Sequence, residues 1–314
     1  FFSSELKVLK EGIDKNLEIN DQSVVDYFTF GFVNNPNTIY KKICQLSPGH
    51  WLKFSVNNYM LEIVRWWKQS FTKNYSISKK DWPIVIREGL KDAVSRWATS
   101  DVPISYLLSG GIDSSALVVL AAQMSSEKLR TYTLGFEGHA EKQWNELDIA
   151  RDVAKTINSD HTEIVLKPTH LLDDLETMVY HLDQPYGGGL PSWEIFKMIN
   201  EKVVVSGTGA DEIFGNYNRG KSFLDYFGKN VFSFPGKVET NDFFKYFKGK
   251  FSIIKDVDLK DVINPEIMLN VQNSARSSFN IYNECVELDF EDRLSKISIE
   301  TQMTDEFLIM TDSM

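Results

Sequence analysis

The chain reads as an α/β protein built on a twisted parallel sheet with helices on both faces, and three observations predict this. Strand-like and helix-like segments alternate from Val102 to Val205. Such alternation marks βαβ units, whose strands run parallel because each helix returns the chain to the edge it started from. Two of the strands run into polar, glycine-bearing turns, Ser109–Ser114 and Ser206–Glu212. The 42% hydrophobic content of 314 residues is enough apolar material to cover such a sheet, in about one or two domains.

Residues 1–70 carry short α+β pieces: a helix over Asp21–Phe30 and strands at His50–Ser55 and Met60–Val64, separated by Asn34-Asn-Pro-Asn37, Ser47-Pro-Gly49 and Val56-Asn-Asn58 turn signals. That is too little for an independent core. From Lys79 the pattern changes, and Ile84, Ile86, Leu90, Ala93, Val94 and Trp97 mark one face of a helix over Trp82–Thr99. The domain boundary is therefore set near 68–80, dividing 1–70 from 71–314. Strand Val102–Leu108 leads through the first glycine turn into a helix over Ser115–Met124. Strand Leu129–Gly135, helix Asn145–Ile157, strand His161–Val165 and helix Leu171–His181 follow. Glu194–Asn200 reads as a helix and Lys202–Val205 as a buried strand feeding the second glycine turn. Residues 221–255, rich in Phe, Lys and Gly, defy placement, and the remainder reads as helical.

A net charge of −10 offers no broad basic surface for a phosphate backbone, so nucleic acid is excluded as a first expectation. No apolar run approaches the roughly 20 residues that span a bilayer, so membrane insertion is not expected. Cys44 and Cys285 stand in no paired or metal-ligand spacing, which fits a reducing, cytoplasmic setting and small buried side chains. His139, His161, His170 and His181 likewise have no second His or Cys at metal-ligand spacing and read as structural. Trp66-Trp67 and the Phe-rich stretch 223–252 read as packing, with a partner surface as the alternative. The opening Phe1-Phe-Ser-Ser-Glu-Leu-Lys7 reads as the middle of a fold, giving the expectation of a piece of something longer.

In an open parallel sheet, ligands settle beyond the carboxyl ends of the strands, where both glycine turns belong. Gly110 and Gly111 lack Cβ atoms, so their N–H groups can approach a phosphate closely. Ser109, Ser114 and Ser115 add hydroxyls, and the following helix adds its positive end. A carboxylate beside a polyphosphate repels it unless a cation such as Mg²⁺ intervenes, so Asp113 and Asp211 are the candidate metal carboxylates. The first turn lacks the Lys of a Gly-x-x-x-x-Gly-Lys-Ser loop, which argues against ordinary γ-phosphate transfer.

On these residues the chain resembles a known family. Ser109–Ser114 is similar to the pyrophosphate loop (PP-loop) of the ATP-pyrophosphatase class. The stretches Tyr106–Ser115, Tyr132–Phe136, Asn145–Arg151, His181–Pro185 and Ser206–Gly215 together resemble glutamine-dependent asparagine synthetases. Phe2–Lys7, Tyr27–Val33 and Leu46–His50 are similar to the last part of that family's glutaminase domain, which makes residues 1–70 a remnant of an N-terminal glutaminase-type domain.

The resemblance implies adenylation of a carboxylate, an aspartate side chain, with release of pyrophosphate and displacement of AMP by ammonia. It implies backbone contacts to adenine at Leu108 and Leu134 and a second nucleotide contact at Ser206 and Gly207. The partners it implies are ATP, Mg²⁺, the carboxylate substrate and ammonia from a glutaminase domain absent from this chain, with a homodimer left open. Two departures bear on the chemistry. Thr208 stands where the family commonly carries a Glu, and Ser313 stands where it usually carries Arg or Lys. Arg219 and Lys221 are then the nearest cations past the second loop for a leaving pyrophosphate. Relatives with altered second loops close β-lactam rings or cyclise lasso peptides, so the acceptor stays open, and Thr208 and Ser313 leave a nucleotide-binding homologue without turnover as a further alternative.

Overall fold

A computed structural model of the chain describes all residues except 14–15, 73, 138–145, 168–171, 216–218, 228–239, 252–258, 269–270, 272 and 314. His139 and His170 therefore lie outside the described residues. The described residues divide into two compact units, one comprising 1–71, 179–188 and 211–313, the other 72–178 and 189–210.

The second of these carries the sheet. Strands β3 (Ile104–Leu107), β4 (Arg130–Phe136), β5 (Asp160–Leu166) and β6 (Val203–Val205) form one parallel sheet in the order β5-β4-β3-β6. Helices α3 (Trp82–Trp97), α4 (Ile112–Met124), α5 (Leu147–Thr156), the start of α6 (Leu175–Leu182) and α7 (Leu190–Met198) flank it. Tyr106, Leu108, Val118, Leu120, Ala121, Leu129, Ala150 and Ala154 form its buried core, joined by Val94 from α3. The expected α/β fold with a parallel sheet is thus observed. The α4 helix starts at Ile112 rather than Ser115, because Gly111 is the extended N-cap and Asp113 and Ser114 already lie in the first turn. Likewise α7 starts at Leu190 rather than Glu194, since Pro191 in a first turn gives up an N–H that has no helical partner anyway.

In the other unit α1 (Leu6–Gly12) and α2 (Asp21–Phe30) precede an antiparallel pair, β1 (His50–Ser55) and β2 (Met60–Arg65), in register His50↔Arg65 to Ser55↔Met60. Short α8 (Ala210–Phe214), then α9 (Arg219–Phe227), α10 (Thr240–Phe251), α11 (Leu259–Val262), α12 (Pro265–Met268), α13 (Arg276–Glu284) and α14 (Phe290–Ser298) follow. A π-helix, Ile299–Leu308, and α15 (Ile309–Ser313) end it. Among the described residues of the Phe-rich stretch, Phe223, Phe243, Tyr246 and Phe247 are core, buried with Tyr282, and Phe243 stacks on Phe247 at 4.3 Å between centroids.

Two expectations about side chains fail. Trp66 and Trp67 are exposed rather than packed, since they follow β2, whose side chains also face outward. Cys285 is buried as expected, but Cys44 is exposed on the loop held by the Asn37↔Cys44 bridge. Among the described residues no helix is long and apolar enough to cross a membrane.

The segment His181–Gly187 is tied to the start of the chain. Both carboxyl oxygens of Asp183 accept from the first turn of α1, from Leu6 N–H at 2.7 Å and Lys7 N–H at 2.9 Å, and Lys7 Nζ lies 3.1 Å away. Ile39 N–H donates to Gln184 Oε1 and Gly187 N–H to Gly31 O. Asp183 is thus a helix-capping residue, held at a left-handed φ of 63°.

Candidate active site

The strand order locates the site. From β3 the chain moves one way to β4 and β5, whereas β6 pairs with the opposite edge of β3. The turns after β3 and β6 therefore leave adjacent strands on either side of the point where the order reverses, and helices lead away from both. A crevice opens at such a switch point.

The first turn is closed by its own serines. Ser109 N–H donates to Ser114 Oγ at 3.2 Å, Ser114 Oγ donates to Gly111 O at 3.2 Å, and Gly111 N–H donates to Ser109 Oγ at 3.3 Å. The two hydroxyl oxygens lie 2.9 Å apart. With one proton per hydroxyl, one of the pair donates to the other across that gap. Ser114 is buried, so its hydroxyl shapes the loop, whereas Ser109 is exposed at the rim of the turn. Ser115, one residue on, is different: its Oγ is buried with no hydrogen-bond partner among the described residues. Among the described residues no side chain caps the N-terminus of α4, whose 13 residues align their dipoles on this turn.

Glycine is required at two positions by close approach. At Gly110, with φ of 89°, a Cβ would meet Glu146 O at 3.0 Å and Ala150 N at 3.2 Å, so the start of α5 abuts the loop. At Gly207 a Cβ would stand 3.1 Å from Ser114 N. The second turn therefore presses its backbone directly onto the first turn of α4. Within it Ser206 Oγ donates to Thr208 Oγ1 at 2.9 Å, and Thr208 is exposed.

Leu108 is fully buried, its N–H bound to Tyr132 O and its carbonyl accepting the Thr133 hydroxyl. Leu134 is placed differently. Because Tyr132 O points toward β3, alternation along the strand turns the N–H and C=O of Leu134 the same way. The strand pairing between β3 and β4 ends at Leu107↔Tyr132, so those groups face the space beyond the end of β3.

The structure thus brings together Leu108, Ser109, Gly110, Gly111, Asp113, Ser114, Ser115, Leu134, Ser206, Gly207 and Thr208 at one end of the sheet. Asp113 lies half-buried in the first turn of α4. Asp211 and Arg219 belong to the other unit, on α8 and α9, and the side chain of Arg219 is outside the described set. Sequence reading did not foresee the packing of α5. Its signal lies in Gly135, where a Cβ would meet Leu147 Cδ1 at 2.7 Å, so the Tyr132–Phe136 and Asn145–Arg151 stretches serve one contact.

The donor set fits a polyphosphate: an uncapped helix N-terminus, glycine backbone at the closest points and a buried hydroxyl lacking a partner. Comparison with known proteins identifies the family. The asparagine synthase family model matches residues 85–280, and that of the glutamine amidotransferase domain matches 1–67. Asparagine synthetase [glutamine-hydrolyzing] 1 of Bacillus subtilis is 30% identical over 69% of this chain and 34% of its own length. A putative asparagine synthetase [glutamine-hydrolyzing] 2 of Methanocaldococcus jannaschii is 33% identical over 69% of this chain and 42% of its own. The chain spans well under half the length of these relatives. With its matched region covering all four strands of the parallel sheet and both glycine turns, the chain belongs to the asparagine synthase family.

Proposed function

We propose that this chain is the synthetase part of an ATP-dependent amide ligase that forms AMP and pyrophosphate. The observation that carries this reading is the turn Ser109–Ser115, a self-closed serine loop on an uncapped helix N-terminus, with Gly207 pressed against it. A carboxylate oxygen, on an aspartate side chain, attacks the α-phosphorus, and pyrophosphate departs with the electrons of the broken bond. Ammonia then attacks the acyl carbon, and AMP leaves as the amide forms.

In this reading the N–H groups of Gly110, Gly111 and the α4 start hold the phosphates, with Ser109 and Ser114 fixing the loop and Ser115 supplying its hydroxyl. Leu134, with Leu108 behind it, meets the adenine, and Ser206 and Gly207 line the other side. Asp113 and, by the resemblance, Asp211 are assigned as Mg²⁺ carboxylates. The metal supplies charge neutralisation between carboxylate and polyphosphate. Arg219 is assigned to the leaving pyrophosphate. Ammonia comes from a glutaminase-type part of which residues 1–67 are the end, and the two free thiols fit a reducing, cytoplasmic setting.

Thr208 supports a second reading of the acceptor. A hydroxyl already paired with Ser206 Oγ offers no carboxylate at that point, which favours an acceptor other than aspartate, as in natural-product amide-forming relatives. Pyrophosphate release from ATP with Mg²⁺, ammonia and a panel of carboxylates decides between them. Release that depends on aspartate supports the first reading, and release with other carboxylates alone the second. A chain that releases pyrophosphate with none of them refutes both.

A further inference from the structure

Helix α3 (Trp82–Trp97) meets the core along a narrow line. Val94 is buried and Leu90 half-buried against the cluster that α4 contributes to, and Arg87 donates to Gln123 of α4. At about 100° per residue, Trp82, Val85, Ile86, Gly89, Ala93 and Trp97 fall on a second stripe beside that line. All six are exposed, with Trp82 at 37%, Ile86 at 39%, Val85 at 42% and Trp97 at 75%. A Cβ on Gly89 would meet nothing within 4 Å, so the middle of the stripe opens to solvent. Charge begins only at its edge, where Asp92 and Arg96 pair at 2.9 Å, and Glu88 and Lys91 pair on the far flank. An apolar stripe of this kind on a surface helix marks an interaction face.

The order of the stripe is palindromic. Trp82 and Trp97 stand equally far from a midpoint between Gly89 and Leu90, and so do Ile86 and Ala93. Two copies related by a two-fold axis through that midpoint lie antiparallel. Trp82 of one copy then meets Trp97 of the other, and Ile86 meets Ala93, a large side chain against a small one. The two Gly89 backbones cross beside the axis, where the missing side chains allow the closest approach.

The electrostatics agree with that arrangement. Antiparallel helices set opposite dipole ends side by side. Arg96, on the edge of the stripe, comes to the end of the second helix whose N-cap is Asp81. Within the stripe itself there is no charge, so the pairing buries no like charges. At about 150–250 Å² for an aromatic side chain, the exposed parts of the four large residues come to on the order of 400 Å² per copy. With Gly89, Ala93 and the edge, a pair covers about 1,000 Å² in all, the lower bound for a specific interface and the size of a reversible one.

We propose that the exposed stripe of α3 is the interface of a reversible two-fold dimer of this chain, with the two helices antiparallel and crossing at Gly89. The stripe is separate from the nucleotide turns and stands independently of the proposed reaction.

Sedimentation equilibrium of the whole chain from about 1 to 500 μM, a range that brackets the weak affinity such an area supports, tests it. The mass is expected to rise with concentration from one copy to two and no further, since a two-fold contact closes. Ile86→Glu should raise the dissociation constant at least about tenfold, and Ile84→Glu, on the opposite flank of the same helix, should leave it unchanged. Gly89→Leu separates a dimer role from a folding role. It enters open space and improves helix propensity, so the melting temperature of the single chain at low concentration should hold or rise, while the dimer weakens about tenfold. A chain that stays single throughout overturns the proposal. So does association that continues past two copies, a dimer unchanged by Ile86→Glu or by Gly89→Leu, or one weakened equally by Ile84→Glu.

Discussion

Replacing Asp305 by Asn is expected to abolish a pH dependence of stability that one buried carboxyl creates. Asp305 sits on the π-helix, 7% exposed, accepting from Asn35 N–H at 3.0 Å and from the Thr304 hydroxyl. Burial first, opposed by these hydrogen bonds and aided by the charge of Asp26, raises its pKa from 3.8 to about 7. A carboxyl raised in the folded state favours folding while protonated. That contribution is fully present below about pH 4 and is lost as pH rises through about 7. The gap of about 3 units, at 1.36 kcal/mol each, corresponds to about 4 kcal/mol. Asparagine cannot ionise, but it sacrifices one acceptor oxygen, a loss of about 1 kcal/mol. At pH 8 Asp305→Asn should therefore be more stable by about 2–3 kcal/mol, and at pH 4.5 no more stable than the parent. Urea midpoints from pH 4.5 to 8.5 measure both. A parent chain whose stability does not fall between pH 5 and 8, or a variant that falls as steeply, refutes the reasoning.

Gly207→Ala places a methyl 3.1 Å from Ser114 N, and nucleotide affinity measured by calorimetry should drop about tenfold or more with little change in melting temperature. Gly110→Ala adds left-handed strain to contacts with α5. It should cost about 2–4 kcal/mol in urea unfolding, and a loss below about 0.5 would contradict the packing described. Asp183→Ala leaves two N–H groups of α1 uncapped, and hydrogen exchange at Leu6 and Lys7 should accelerate by about tenfold while the sheet stays protected.

What the sequence revealed follows its periodicities. The four parallel strands were legible because each is a short apolar run bounded by turns, and β1 was legible to the residue. Helix starts were not, since Gly111 and Pro191 change backbone state without changing hydrophobic pattern. Residues 221–255 resisted because their aromatic residues follow no single period in the sequence, and only tertiary packing selects Phe223, Phe243 and Phe247 as core.

The glycines of the site were legible as close-approach positions, but the roles of its serines were not. Spacing cannot tell a hydroxyl that ties a loop, Ser114, from one left without a partner, Ser115. Asp183 lies within the His181–Pro185 stretch, and its capping of α1 is a contact across 177 positions that no local pattern encodes. His161 read as structural from spacing alone, and the contacts of its ring with Thr131, and of Thr131 with Ser159, need separate elements in place.

The claim that the two glycine turns at the switch point hold the nucleotide is tested most directly by amide hydrogen exchange with and without MgATP. The account expects strong slowing within 109–115 and 206–208, with β5 and the His161 end unchanged. Unaltered exchange in both turns at saturating MgATP, or protection confined to other segments, would contradict it.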